Sequence, residues 1–256
     1  MIVLTSPMNI PRFFFIALLG LGVPLIHAQE PAPAPTPAPV PAPDAGMKLR
    51  AISFMVEKPI TSLFAHDPSV AAPLPGVPFQ VKTYLNHEFS LVPLKGDSVI
   101  FTNSSEPASA KDPAKVIAKA KLPSGFKKGI LIFLPGTGRP GDPAYRVLPM
   151  EDSLGSFPRG SVKVMNLSQS PVRIRLEKTD YEFKSGEMQL IKDHPVGDNN
   201  SASMMAFAFK DKEWQRVGAG VWAHPGEKRV IQIIFDNPKS HQVELAGIRD
   251  VAVRDN

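Results

Sequence analysis

The chain has 256 residues, of which 28 are proline and none is cysteine, and its formal net charge is +5. Without cysteine it can form no disulfide, no thiolate metal site and no lipid-modified cysteine, which excludes lipoproteins and cysteine-dependent enzymes. The lysines and arginines are scattered along the chain, so the mild positive charge predicts a solvated surface and no nucleic-acid partner.

The N-terminus has the pattern of a secretory signal. A single positive charge, Arg12, precedes an apolar block at residues 13–26, and the small residue Ala28 follows shortly after it. The block has about 14 residues, fewer than the roughly 20 that a membrane-spanning helix needs. We therefore predict a signal peptide over residues 1–28, with a retained anchor as the alternative. Export to the periplasm, the cell envelope or the exterior is expected, with no membrane span after cleavage.

Residues 29–46 form a linker rich in proline and alanine. Proline fixes φ and lacks a backbone donor, so this composition cannot build a packed core. As polyproline II, at about 3.1 Å per residue, the segment would span about 50 Å. It is predicted to be either a semi-rigid tether for the part that follows or a disordered leader.

From Met47 onward, short runs of β-branched and aromatic residues alternate with turn residues. In 172–176, three aliphatic residues alternate with Arg173 and Arg175, which is typical of a strand with one solvated face. Residues 112–121 fit a short helix or a strand, and their alternation favours the strand. The predicted strands are 49–57, 79–85, 88–94, 97–103, 115–122, 129–135, 144–150, 161–167, 172–178, 181–185, 188–193, 203–210, 213–223, 229–236 and 242–251.

This spacing of strands and turns predicts an all-β protein. Residues 151–160 lack β-branched side chains and join two sets of about seven strands. The sequence therefore predicts two immunoglobulin-like β-sandwich domains, at 47–150 and 151–256. One larger sandwich is the alternative.

A short run supports the same fold by resemblance. Residues 157–160 read Phe-Pro-Arg-Gly and lead into a predicted strand that ends in Asn166, Leu167 and Ser168, with Val162 and Val164 on one face. This pattern resembles uncharacterised secreted β-sandwich proteins of Gram-negative bacteria. The resemblance covers roughly residues 145–251. It implies the fold and brings no activity with it.

Gly136, Gly138 and Gly141 have the G-x-G-x-x-G spacing of a dinucleotide-binding loop. That motif works by opening a helix whose N-terminus holds the pyrophosphate. Here Asp142 and Pro143 follow, and then an alternating strand pattern. The sequence predicts a hairpin loop that binds no nucleotide and carries the exposed Arg139 as a candidate ligand contact.

No catalytic or metal-binding constellation stands out in the sequence. Ser124 and Lys127 match S-x-x-K but lie in a turn rich in proline and glycine, without the partner motifs of penicillin-recognising enzymes. The six histidines occur singly, which predicts isolated surface residues and no metal site. We predict no cofactor and assign no catalytic residue.

Two tryptophans are candidate ligand contacts. Trp214 and Trp222 lie eight residues apart, so an unbroken strand would place both on one face. Gly218 and Gly220 between them predict a bulge or turn that breaks this register. Exposed indoles would stack on sugar rings. The broken register instead favours core positions for both tryptophans.

These features predict an exported, non-catalytic binding or structural module whose partner is an envelope polymer or another envelope protein. One alternative is a metal-independent hydrolase acting on envelope glycan or peptide. Another is a fimbrial-type periplasmic chaperone, which would need an exposed strand edge and a basic anchor such as Arg159 or Arg173.

Overall fold

The computed structural model describes residues 46–72, 74–197 and 199–250. Within these ranges the regular structure consists of strands and one 3-10 turn at Pro107–Lys111, so the all-β prediction is confirmed. No helix in the described part of the chain has the length and apolarity needed to cross a membrane. The predicted signal peptide and all of the predicted linker except Gly46 lie outside the described residues.

The first eight strands cover the first half of the described chain. They are β1 Met47–Ser53, β2 Leu63–His66, β3 Val77–Phe79, β4 Ser90–Val92, β5 Ser98–Thr102, β6 Val116–Lys121, β7 Lys128–Pro135 and β8 Tyr145–Glu151. Eight more strands follow: β9 Val162–Asn166, β10 Val172–Leu176, β11 Thr179–Phe183, β12 Met188–Ile191, β13 Ser201–Lys210, β14 Glu213–Ala223, β15 Arg229–Asp236 and β16 Val243–Asp250.

Strands β1–β8 form one sheet, sheet A, in the order β3-β2-β5-β6-β8-β7-β1-β4. One face of sheet A encloses an aromatic core in which the rings of Phe79 and Phe101 lie 5.0 Å apart, and those of Phe101 and Phe133 lie 5.2 Å apart. The edge strands β3 and β4 contact each other. The sheet therefore rolls around this core.

The remaining strands form two four-stranded sheets. Sheet B has the order β12-β9-β15-β16, and sheet C has the order β11-β10-β13-β14. In β10, Val172, Ile174 and Leu176 are buried between these sheets, while Arg173 and Arg175 face outward. The alternation predicted for this strand is confirmed, since one face of sheet C packs on the core and the other meets solvent.

Sheet B is buried on both faces. Val162, Val164 and Ile234 pack towards sheet C. Met165, Ile231 and Ile233 pack on the other side, against Ile52, Ile130 and Ile132 of sheet A. Burial on both faces explains why β15 is almost continuously apolar. The sheets thus stack in the order A, B, C. The division into two immunoglobulin-like domains stays a prediction.

The strand predictions failed where strands are short. Residues 80–85, predicted as part of a strand, are joined to sheet A only by an isolated bridge between Ile52 and Lys82. Of this region, only the preceding residues Val77–Phe79 form a strand, β3, and its Pro78 suits an edge position. Strand β2 was not predicted because four residues are too few to show a period. Residues 116–121 form strand β6, which confirms the strand over the helix.

A buried ionic network joins sheet A to sheet B. Arg50 donates from both terminal nitrogens to Asp250, at 2.7 Å each, and from Nε to Asp152 at 2.9 Å. Arg229 donates to Asp152 at 2.6 Å, to the carbonyl oxygen of Phe157 at 3.0 Å, and to Asp250. All four charged side chains are at most 2% exposed. Two cations and two anions therefore neutralise one another in the interior.

Removing one member of this network leaves an unbalanced charge in the interior. We expect Arg50→Ala to lower the free energy of unfolding by about 3–5 kcal/mol, because Asp152 and Asp250 remain buried with one of their two shared cations missing. Chemical denaturation measures this loss. The control is Arg146→Ala, which removes an exposed arginine from β8 of the same sheet. Equal stability of the two variants would contradict the role given to the network.

The network also predicts sensitivity to acid. Burial alone would raise the pKa of Asp250, but the hydrogen bonds and charges of Arg50 and Arg229 hold that pKa below its ordinary value. The unfolded state therefore binds this proton first as the pH falls. The stabilisation is complete above about pH 4, the ordinary pKa of an aspartate, and is lost as the pH drops through the folded pKa.

Urea unfolding between pH 2 and pH 7 tests this expectation. Asp250→Asn is expected to be less stable than the parent at pH 7 and to show a shallower loss of stability below about pH 4. Parallel pH curves for the two proteins would show that Asp250 does not contribute to the acid sensitivity.

Candidate functional site

The outer face of sheet C carries a row of aromatic and cationic side chains. The register pairs Phe209 with Trp214, Phe207 with Arg216, and Arg173 with Phe207. Directly paired residues point to the same face of a sheet. Because the core lies on the opposite side, these side chains all point towards solvent.

A bulge in β14 separates the two tryptophans. Arg216 pairs with Phe207 and Gly218 pairs with Ala206, so Val217 is an extra residue in β14. The extra residue reverses which face the following side chains occupy. Trp214 consequently lies on the outer face, whereas Trp222 is 7% exposed and packs in the core between sheets B and C.

Trp214 is held in place by its neighbours. The guanidinium carbon of Arg173 lies 4.1 Å from the centre of the Trp214 ring, and the Phe209 ring lies 5.3 Å away. Arg173 is in turn bound by Glu182, with Nε 2.8 Å from the carboxylate. A cation over an indole contributes about 0.5–2 kcal/mol. The ring is therefore preorganised while remaining half-exposed.

A cleft of about 290 Å³ opens beside this ring. Phe209, 40% exposed, and Trp214 supply its aromatic wall, and Glu182, Lys184 and Glu187 supply its polar groups. We call it the Trp214 cleft; Pro171 and Phe183 complete its lining. Ligand pockets usually measure roughly 300–1,000 Å³, so this cleft suits a single ring. Aromatic walls that stack on C–H faces, together with carboxylates that accept from hydroxyls, are suited to a sugar.

The two carboxylates in the cleft do not form an acid–base pair. Glu182 is exposed and bound by Arg173, and Glu187 accepts from the backbone N–H of Lys184 at 2.7 Å. A glycosidase needs one carboxyl group kept protonated by burial, opposite a second that is ionised. Glu182 is exposed and Glu187 is only partly buried, so neither residue has such an environment.

The structure brings one serine and one histidine together, but not in a catalytic arrangement. His66 Nε2 lies 3.3 Å from the hydroxyl oxygen of Ser109, and both residues are buried. The Ser109 hydroxyl donates to the carbonyl oxygen of Glu106 at 2.6 Å, and His66 Nδ1 has no partner among the described residues. A catalytic pair needs an orienting acid and access to substrate. This pair has neither.

The prediction that the histidines are isolated surface residues is wrong for His66 and His194, which are both buried. The His194 ring stacks on that of His224 with the centres 4.9 Å apart. Burial, together with the nearby His224, lowers the pKa of His194. His224 accepts the N–H of Gly226 at Nδ1, at 3.0 Å. Within the described ranges, no three histidine or acidic side chains are grouped to hold a metal ion.

The glycine-rich segment forms the predicted hairpin loop between β7 and β8. Gly136 donates its N–H to the carbonyl oxygen of Ala144 at 2.8 Å, and Gly138 and Gly141 have φ of 71° and 86°. These left-handed positions explain why glycine occurs there. Arg139 is exposed in this loop, on sheet A, whereas Trp214 belongs to sheet C.

No protein-family model and no curated protein sequence matches this chain. Sequence reasoning found Trp214 but missed Phe207 and Phe209 as its neighbours on the outer face. Their spacing of two residues within β13 was the available signal, because alternate residues of a strand share a face.

The different positions of the two tryptophans are open to a direct test. In Trp222→Phe, the fluorescence of the remaining Trp214 is expected to be readily quenched by acrylamide, because its ring is half-exposed. In Trp214→Phe, the buried Trp222 is expected to be protected. Steady-state acrylamide quenching of both variants, in buffer and in denaturant, measures this difference. Equal quenching of the two folded variants would contradict the bulge at Val217.

Proposed function

We propose that this protein is an exported, non-catalytic binding module of the Gram-negative cell envelope. The predicted signal peptide over 1–28, the Pro/Ala-rich linker and the resemblance over 145–251 support export. On this proposal the all-β part comprises immunoglobulin-like sandwiches that the linker holds away from an attachment point. The cleft carboxylates lack the environment of a glycosidase pair, which favours binding over the hydrolase alternative.

The observation that carries the proposal is the fixed, half-exposed ring of Trp214 in its cleft. Arg173 and Phe209 hold the ring in one orientation, so little side-chain entropy is lost when a ligand stacks on it. Glu182 and Glu187 offer acceptors for hydroxyl groups beside the ring. We therefore propose a sugar unit of an envelope polymer as the ligand. Arg139 is proposed as a second contact, favouring an acidic polymer.

Glycan binding should depend on the Trp214 ring. We expect residues 29–256 to bind at least one bacterial envelope polysaccharide on a glycan array. Trp214→Ala should weaken that interaction ten-fold or more, about 1.4 kcal/mol, because the stacking surface is removed. Biolayer interferometry with the retained glycan gives the Kd.

Tyr84→Ala is the matched control, since Tyr84 is another exposed aromatic residue and belongs to the first half of the chain. It should bind the glycan as tightly as the parent. Retention of no glycan, or equal Kd values for Trp214→Ala and the parent, would rule out the glycan proposal.

A further inference from the structure

A second groove lies at one side of sheets B and C, where β14 and β16 form their edges and contact each other. The groove measures about 290 Å³, and we call it the edge groove. It opens into the core between the two sheets. Most of its lining residues are apolar, among them Val162, Met204, Trp222, Val230 and Leu245.

Two glycines border this groove, Gly247 within its lining and Gly220 next to the lining residue Val221. Gly220 pairs with Met204, and Gly247 pairs with Gln232, so both glycines occupy inward-facing positions of edge strands. A Cβ on Gly220 would lie 3.9 Å from the Met204 methyl, and one on Gly247 would lie 3.4 Å from the Gln232 amide oxygen. Both positions have room for a side chain. Glycine inside a strand often marks the close approach of another backbone.

Beyond the bulge at Val217, the edge of β14 next to the groove has no charged residue and no proline to protect it. Within the described part of the chain, β14 pairs only with β13. Natural edge strands commonly carry charged residues or proline that prevent pairing, because their unpaired N–H and C=O groups otherwise bind further strands. Residues 217–223 contain neither a charged residue nor a proline, and Val221 there is 74% exposed.

The rim of the groove is cationic. Arg249 lines the groove from β16, is exposed, and forms no ion pair with any of the described residues. A ligand that fills the groove would therefore gain from carrying a carboxylate at this end.

We propose that the edge groove binds an extended segment of a partner protein, which adds as a strand along β14. Its alternate apolar side chains enter the space beside Gly220 and Gly247, and an acidic residue pairs with Arg249. In such binding the main-chain hydrogen bonds supply affinity and the pockets supply specificity. At about 3.3 Å per residue, residues 217–223 match a segment of about seven residues. This surface is separate from the Trp214 cleft.

Selection from a phage-displayed library of random twelve-residue peptides on residues 29–256 tests the proposal. The selected peptides are expected to share apolar residues at every second position and one acidic residue. Gly220→Val should weaken binding of a selected peptide ten-fold or more, because the new side chain fills the groove. Its Tm should be unchanged or higher. Isothermal titration calorimetry gives the Kd.

Ala219→Val is the matched control, because Ala219 is the neighbouring residue on the outer face of the same strand. It should leave the peptide Kd within about two-fold of the parent value. Arg249→Glu provides a second variant at an exposed position, should Gly220→Val fail to fold. Arg249→Glu should weaken binding of the acidic peptide. Replacing the acidic residue of the peptide by lysine should restore binding to this variant.

Four outcomes would overturn the proposal. They are selection of no peptide, selected peptides without alternating apolar residues, self-association of the protein that Gly220→Val abolishes, and peptide binding that appears only after residues 251–256 are removed. The third would identify a second copy as the occupant, and the fourth the chain's own C-terminus. Trp214→Ala should retain full peptide binding, so failure of this proposal is distinguishable from failure of the glycan proposal.

Discussion

The arrangement of the sheets depends on four charges buried between sheets A and B. Removing an ion from water costs several kcal/mol even after relaxation, and its partners recover that cost only when the geometry is complete. Arg50, Asp152, Arg229 and Asp250 meet this condition through paired hydrogen bonds from both guanidinium groups. An apolar contact tolerates sliding, whereas this network specifies one position of β1 against β15 and β16.

The position of sheet B in the stack determines which surfaces of sheet C are exposed. Sheet B is covered on both faces, by sheet A on one side and by sheet C on the other. The described residues cover sheet C on one face only, which leaves its outer face and the edge strand β14 available to ligands. The Trp214 cleft lies on this outer face, whereas the edge groove lies where β14 of sheet C meets β16 of sheet B.

Strand β14 serves both surfaces because of its bulge. Before Val217 its residues present Trp214 to solvent, and after Val217 they direct Trp222 and Gly220 towards the core. A straight strand would have placed both indoles on one face. On the two proposals above, a glycan on the outer face and an extended peptide at the edge would occupy separate surfaces, and the protein would connect a polymer to a protein partner.

The sequence by itself determined the local structure. Period-two alternation and turn residues correctly predicted the all-β class, the bounds of β14 and the hairpin loop with Arg139, because these depend on neighbouring residues. Only the tertiary structure showed the network, since Arg50 and Asp250 are 200 residues apart and look like ordinary surface charges in the sequence. It also decided which tryptophan is exposed and where the groove lies, because strand pairing and register join residues whose association no local pattern encodes.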